Sequence, residues 1–450
     1  MKPDIRTTWN DGFALAYQIV GSGRHDLVYL PGWVSHLDMM WDIPPYRRFI
    51  ERLAALSRLI VLDRRGVGCA DRLPPGDAPA LEEIADDILA VMEAASSMHA
   101  TLFATQEAVF PALLLAASHP HRVRRLVLFG ASPSWKRSED LPDEWSPERW
   151  DSELRAWGRT TSAIEGASGY VRFAAPSLYG DDEATRALGG LLLSSQGLGA
   201  SISEARMWSM TDLRQILPSI QAPTLVLRRE GDELIAESSS RYLAEHLPSG
   251  EYVRLPGADV LPWIGDQEPV LETMERFMGV EPGPPASDRR LASVLFTDIV
   301  ESTVVASELG DGAWKGLLEE HHRLVREQLT AQGGVEVDTA GDGFFAVFDG
   351  PARAIRCAME TAGSVSRSLG FEIRAGVHTG EVETIAGKPG GAAVVIGARI
   401  AASAGASEVL VSQTVKDLTA GSELTFEDLG ERRLKGITDP WHLYRVKERP

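Results

Sequence analysis

Val335-Glu336-Val337-Asp338-Thr339-Ala340-Gly341-Asp342-Gly343-Phe344-Phe345-Ala346-Val347 reads as a hairpin, two apolar strands joined by a turn that contains Asp342-Gly343. The turn holds a carboxylate at the mouth of the strands. Upstream, Ser293-Val294-Leu295-Phe296-Thr297-Asp298-Ile299 places a second aspartate at the end of another short apolar strand. Paired carboxylates at strand ends, beside backbone free to meet phosphate, suit a divalent cation shared with a nucleoside triphosphate.

Working outward, an amphipathic helix is expected over 312–331, closed by Gly333-Gly334. A helix over 352–369, a strand over 371–378 and a helix over 395–404 complete an α+β sandwich. The Pro- and Gly-rich run from Gly279 to Asp288 can hold neither a helix nor a central strand. It divides the chain into a domain at 1–280, a linker at 281–289 and a domain at 290–450. In the first domain, 27–30, 59–62, 101–103, 126–129 and 224–227 read as buried parallel strands. Helical patterns over 81–95 and 110–118 lie between them. This alternation predicts a doubly wound α/β sheet. A Trp-, Ser- and Glu-rich segment at about 133–212 reads as a helical cap over the sheet edge where ligands bind.

A chain of 450 residues with 44% hydrophobic and 24% charged residues can bury two sizeable cores. Its net charge of −19 argues against a nucleic-acid or anionic-membrane partner. No signal peptide is read at the N-terminus, and the longest apolar run, Ala108 to Ala117, is too short to span a bilayer. Cys69 and Cys357 form no metal-ligand or redox pattern, which fits a cytoplasmic protein.

Leu102-Phe103-Ala104-Thr105-Gln106-Glu107-Ala108-Val109 falls where a strand turns sharply into a helix. With Leu30-Pro31-Gly32-Trp33 and Asp63-Arg64-Arg65-Gly66-Val67-Gly68, it resembles the nucleophile elbow and flanking loops of the α/β-hydrolase family. That resemblance covers roughly Ile5 to Met278. The family's serine position holds Gln106, and its flanking glycines are Ala104 and Ala108. Asp232 matches the acid. Val260, in Leu255-Pro256-Gly257-Ala258-Asp259-Val260, stands where histidine is expected. An amide is no nucleophile, so serine-type hydrolysis has no route. The expectation is a non-catalytic domain serving as sensor, lid or scaffold, with Asp232 a structural loop residue and a pocket able to take a small apolar ligand.

From Arg290 to Val446 a second resemblance appears. Its motifs are Leu295-Phe296-Thr297-Asp298-Ile299-Val300-Glu301-Ser302-Thr303, Gly341-Asp342-Gly343, Ile373-Arg374-Ala375-Gly376-Val377-His378, Gly397-Ala398-Arg399-Ile400 and Leu434-Lys435-Gly436-Ile437. Their order and spacing resemble the class III nucleotide cyclase catalytic domain, an α+β, ferredoxin-like fold. The resemblance implies attack of a ribose 3′-hydroxyl on the α-phosphorus, aided by two Mg²⁺ or Mn²⁺ ions on Asp298 and Asp342. It implies that backbone amides from Ile299 to Thr303, with the Ser302 and Thr303 hydroxyls, meet phosphate. Arg399 would stabilise the transferring phosphoryl group and Lys435 would grip the terminal phosphates. It further implies a homodimer, each site taking metal ligands from one copy and the base-selecting residues and Arg399 from the other. His321, His322 and His378 read as helix-face and strand residues rather than ligands.

Three positions depart from the family pattern. Four residues before Asp342, its adenine-selecting lysine is Asp338. Eleven before Arg399, its adenine-selecting aspartate is Lys388. Four before Arg399, its ribose-orienting asparagine is Val395. The first two form a charge swap. Asp338 can accept from the N1 of guanine and Lys388 can donate to its O6, or the two can simply pair with each other and leave base choice loose. Val395 cannot hydrogen-bond a ribose, a loss of about 1–3 kcal/mol of transition-state stabilisation. The expected function is a weak purine nucleotide cyclase making cAMP and pyrophosphate from ATP. The alternatives are a guanylate cyclase acting on GTP, and a non-catalytic nucleotide-binding or dimerising sensor. An esterase is disfavoured by Gln106 and Val260.

Overall fold

The computed structural model describes residues 2–74, 76–158, 169, 171–279, 289–385 and 388–447. The chain divides into two compact units, Met1–Ala286 and Ser287–Pro450. The segment read as a linker falls almost wholly on residues 280–288, outside the described ones.

The first unit is built on eight strands: β1 (Arg6–Asn10), β2 (Phe13–Val20), β3 (Asp26–Leu30), β4 (Arg58–Asp63), β5 (Ala100–Thr105), β6 (Val123–Phe129), β7 (Thr224–Arg229) and β8 (Gly250–Leu255). Their order is β1-β2-β4-β3-β5-β6-β7-β8. The first two pairings are antiparallel and the rest parallel. Helices α1 (Pro44–Leu56), α2 (Leu81–Ala94) and α3 (Val109–Ser118) connect the early strands. The central strands are covered on both faces, so they read as unbroken apolar runs rather than alternating ones. The apolar run from Ala108 becomes α3, every residue of which is buried. No helix among the described residues is long and apolar enough to cross a membrane. Between β6 and β7 lie α4 (Pro147–Gly158), α5 (Asp182–Ser195) and α6 (Leu198–Met210), where the cap was expected. Helices α7 (Glu237–His246) and α8 (Glu268–Met278) flank β8.

The second unit carries β9 (Arg290–Ile299), β10 (Val335–Ala340), β11 (Gly343–Phe348), β12 (Ile373–Ile385), β13 (Lys388–Gly390), β14 (Val409–Ser412), β15 (Thr425–Arg432) and β16 (Trp441–Lys447). The sheet runs β10-β11-β9-β12-β14-β16-β15, with β13 paired to β12. Helices α9 (Ser302–Leu309), α10 (Asp311–Ala331), α11 (Pro351–Leu369), α12 (Ala392–Ala402) and α13 (Gln413–Leu418) complete it.

Several bounds differ from the sequence reading. β9 continues through Asp298 to Ile299, because Thr297, Asp298 and Ile299 pair with Ala375, Arg374 and Ile373 of β12. The hairpin loop is Gly341-Asp342, not Asp342-Gly343, since Gly343 pairs with Ala340. α12 starts at Ala392, so Val395 lies inside it. That helix lies close on the sheet through two glycines. A Cβ at Gly397 would sit 2.5 Å from a Val294 methyl, and one at Gly376 would sit 2.2 Å from the Ala401 nitrogen. Larger residues there would push α12 off β9 and β12.

Candidate functional site

The register of β9 against β12 sets Arg374 opposite Asp298. The guanidinium donates to Asp298 Oδ2 from Nη2 at 2.6 Å and from Nε at 3.2 Å. Asp342 follows the loop glycine Gly341, whose φ of +64° suits the first position of a two-residue hairpin turn. Its Oδ2 accepts the Ile299 N–H at 3.0 Å. Burial raises the Asp298 carboxyl above its ordinary range; the Arg374 hydrogen bond opposes this, and a side-chain contact with Asp342 adds to it. The two carboxyl groups thus lie close together, and the Arg374 guanidinium sits on Asp298. Asp298, with Arg374, Asp338, Phe296, Phe345 and Ala398, borders a depression of about 300 Å³. Phe296 and Phe345 stack on its wall with centroids 4.5 Å apart.

This donor set fits a hard divalent cation. Among the described residues no group of three or more His, Cys, Asp or Glu could hold a metal. Asp298 and Asp342 could supply two ligands to such an ion, with phosphate oxygens and water supplying the rest.

Other sequence-expected residues fall out variously. The Ile299 N–H is bonded to Asp342 and the Val300 N–H to the Glu372 carbonyl, so these two amides are not open to phosphate as expected. α9 begins at Ser302, after Glu301 in a left-handed conformation of φ +56°. The Thr303 side chain lies outside the described residues. Lys388 Nζ lies 3.1 Å from Asp338 Oδ1, both side chains about 60% exposed. Of the two readings of these residues, the chain by itself adopts the mutual pair. Val395 and Arg399, one turn apart on α12, are both exposed. Ala398, Ala401 and Ala402 line the depression instead. Lys435 is exposed between β15 and β16.

Sequence reasoning passed over three polar residues at this site. Arg374 stands in the sequence as one position of a motif, and its role appears only once the strand register is known. His321 and His322, read as helix-face residues, bond to the loop: Nε2 of His321 lies 3.0 Å from the Asp342 carbonyl, and Nε2 of His322 lies 2.9 Å from that of Gly341. The fully buried His378 instead bonds to Ser412 Oγ through Nδ1 at 2.8 Å, as a core residue.

In the first unit, Gln106 has φ +55°, a strained left-handed conformation for a non-glycine residue. Neither amide atom of Gln106 nor either carboxyl oxygen of Glu107 has a hydrogen-bond partner, although both side chains are buried. Burial pushes the Glu107 carboxyl up to about 8, against the opposing field of Arg64. That arginine is tied to Glu204 of α6 by hydrogen bonds of 2.8 and 2.6 Å. Asp232 accepts from the Leu234 and Ile235 amides, and burial raises it to about 6. Val260 is fully buried, its amide bonded to the Ala174 carbonyl. The elbow is present without a nucleophile or a base.

The family model for the alpha/beta hydrolase fold matches residues 27–261. The model for the adenylate and guanylate cyclase catalytic domain matches residues 286–448. A pimeloyl-[acyl-carrier protein] methyl ester esterase of Edwardsiella ictaluri is 27% identical over 274 residues, covering 59% of this chain and 97% of its own length. The crystal structure of a hydrolase from Pseudomonas aeruginosa PA01 is similar with a TM-score of 0.52 at 23% identity, covering 62% of this chain and 99% of that one. The adenylyl cyclase CyaB of P. aeruginosa is 22% identical with a TM-score of 0.34, covering 36% of this chain and 96% of that one.

Proposed function

The chain belongs to the α/β-hydrolase-fold family and carries an adenylate and guanylate cyclase catalytic domain behind that fold, and from this premise we propose that it slowly converts ATP to cyclic AMP and pyrophosphate. The observation that supports this most is that Asp298 lines a depression of about 300 Å³ and lies close enough to Asp342 for the two carboxyl groups to influence each other. Two adjacent carboxylates repel unless a proton or cation lies between them.

Asp298 and Asp342 would hold the Mg²⁺ or Mn²⁺ pair. Bound there, the metal would acidify the ribose 3′-hydroxyl and neutralise charge on the triphosphate. The Ile299 N–H keeps the Asp342 carboxylate oriented before any ligand arrives. Arg374 neutralises Asp298 in the free protein and is placed to turn to phosphate oxygens once that carboxylate is engaged. Arg399 and Val395 share the exposed side of α12, which suits delivery of the guanidinium to the site of a second copy in a homodimer. Lys435 would meet the terminal phosphates. With Val395 the ribose lacks an orienting hydrogen bond, so turnover is low.

GTP is the second reading, because Asp338 and Lys388 stand together in the polarity that guanine requires. The N-terminal unit would regulate by binding a small, largely apolar ligand. The unpartnered Gln106 amide supports this, since a buried donor and acceptor without partners favour an ordered water or a bound molecule. Cys69 and Cys357, both free thiols, fit a reducing cytoplasm.

Purified full-length protein with Mn²⁺ and either ATP or GTP should form a cyclic nucleotide, and Asp342→Ala should abolish it. No product from either nucleotide, with nucleotide binding intact, would replace this reading with a non-catalytic sensor.

A further inference from the structure

We infer that His321 and His322 are positioning residues, which set the Asp342 carboxylate by fixing the backbone that carries it. In a two-residue hairpin loop the flanking residues pair with each other, here Ala340 with Gly343. The carbonyls of Gly341 and Asp342 are then left outside the ladder. An unheld turn peptide can rotate, and the carboxylate rotates with it. Here two consecutive residues of α10 reach these two consecutive carbonyls, His321 bonding to Asp342 and His322 to Gly341.

Each ring stands nearly edge-on to Phe344, with centroids 5.7 and 5.1 Å away, which limits its own rotation. His321 is fully buried. A carbonyl can only accept, so Nε2 donates, and Nδ1 is buried without a partner. A buried ring that leaves one nitrogen unsatisfied is a poor choice for packing alone, where leucine would serve better. On the far side, the Asp342 carboxylate is held by the Ile299 N–H. The residue is therefore gripped by its backbone from α10 and by its side chain from β9.

This inference rests on reading Asp342 as a metal ligand. Partners that orient a ligand typically affect metal affinity about tenfold to a hundredfold. The test uses full-length protein and Mn²⁺ titrated by electron paramagnetic resonance, with a non-hydrolysable ATP analogue present. His321→Leu and His322→Leu should each weaken Mn²⁺ binding by about tenfold or more. His321→Gln and His322→Gln, which keep an amide donor, should recover most of the loss. Hydrogen exchange of the amides at 341–343, measured without metal, should quicken in the leucine variants and not in the glutamine ones. Unchanged Mn²⁺ affinity in folded leucine variants would overturn the positioning role, as would equal losses in the leucine and glutamine variants. Quickened exchange in a protein whose wild type takes up no Mn²⁺ would leave a backbone clamp but overturn its metal-positioning role, together with the catalytic reading.

Discussion

Exchanging the charges of Asp338 and Lys388 should shift the base preference toward ATP, and the structure bounds the size of the effect. The pair is exposed, with a single contact of 3.1 Å. An exposed ion pair contributes at most about 1 kcal/mol, so parting it to admit a base costs no more than about fivefold. A base presenting the wrong polarity leaves two groups unpaired in a closed site, at about 1–3 kcal/mol each. The mismatch therefore outweighs the pair. The double variant Asp338→Lys with Lys388→Asp keeps an opposite-charge pair in the same place, and its stability should change by no more than about 0.5 kcal/mol. With Mn²⁺ and each nucleotide, the ratio of kcat/KM for GTP over ATP should fall by at least about thirtyfold, the equivalent of roughly 2 kcal/mol. A ratio that does not move, in a variant that still turns over, would show that these side chains stay on each other and never read the base.

Two further outcomes concern the N-terminal unit. Glu107 is raised to about 8 from an ordinary 4.5, so the folded state keeps a proton that the unfolded state releases as pH rises through that window. Its contribution to stability is complete below about 4.5 and lost toward 8; Glu107→Gln should leave Tm unchanged at pH 5 and raise it at pH 8, with equal shifts at both refuting the burial argument. Wild type should release no p-nitrophenol from a simple ester, and neither should Gln106→Ser alone. Gln106→Ser with Val260→His should show measurable release, because the strained elbow and Asp232 remain in place.

Much of the fold was legible because it rests on local signals. The parallel strands announced themselves as apolar runs, and Gly341-Asp342-Gly343 as a turn. What stayed hidden depends on register. Whether Asp298 ends a strand or sits within one is decided by its pairing with Arg374, 76 residues away. The histidines of α10 were visible as residues but not as partners, since only the packing of the helix on the hairpin brings them to the loop. The amides of Ile299 and Val300 looked open to phosphate because nothing local shows the Asp342 carboxylate and the Glu372 carbonyl arriving there. The alternation of strands in the C-terminal third was also weak, and β14 to β16 were not delimited from sequence.

The two units depart from their family patterns in opposite ways. In the first, the reacting groups are gone and the framework stays: Gln106 still adopts φ +55°, although no nucleophile needs that conformation. Backbone strain of about 1–3 kcal/mol persists only where the surroundings enforce it. Here the wholly buried α3 follows the elbow, and β5, paired with β6, leads into it. Relaxing Gln106 would mean repacking that helix, which costs more than the strain. In the second unit the carboxylates stay and the surrounding recognition groups change. Those changes fall on exposed positions, Asp338, Lys388 and Val395, where substitution disturbs little packing. Asp298 is tied to Arg374 and Asp342 to the Ile299 amide, so losing either would strand its partner. Base selectivity is thus the more easily altered property of this site, and the carboxylate pair the less. Variants at the three exposed positions should alter substrate choice and rate while leaving thermal unfolding in place, whereas variants at the two aspartates should alter both.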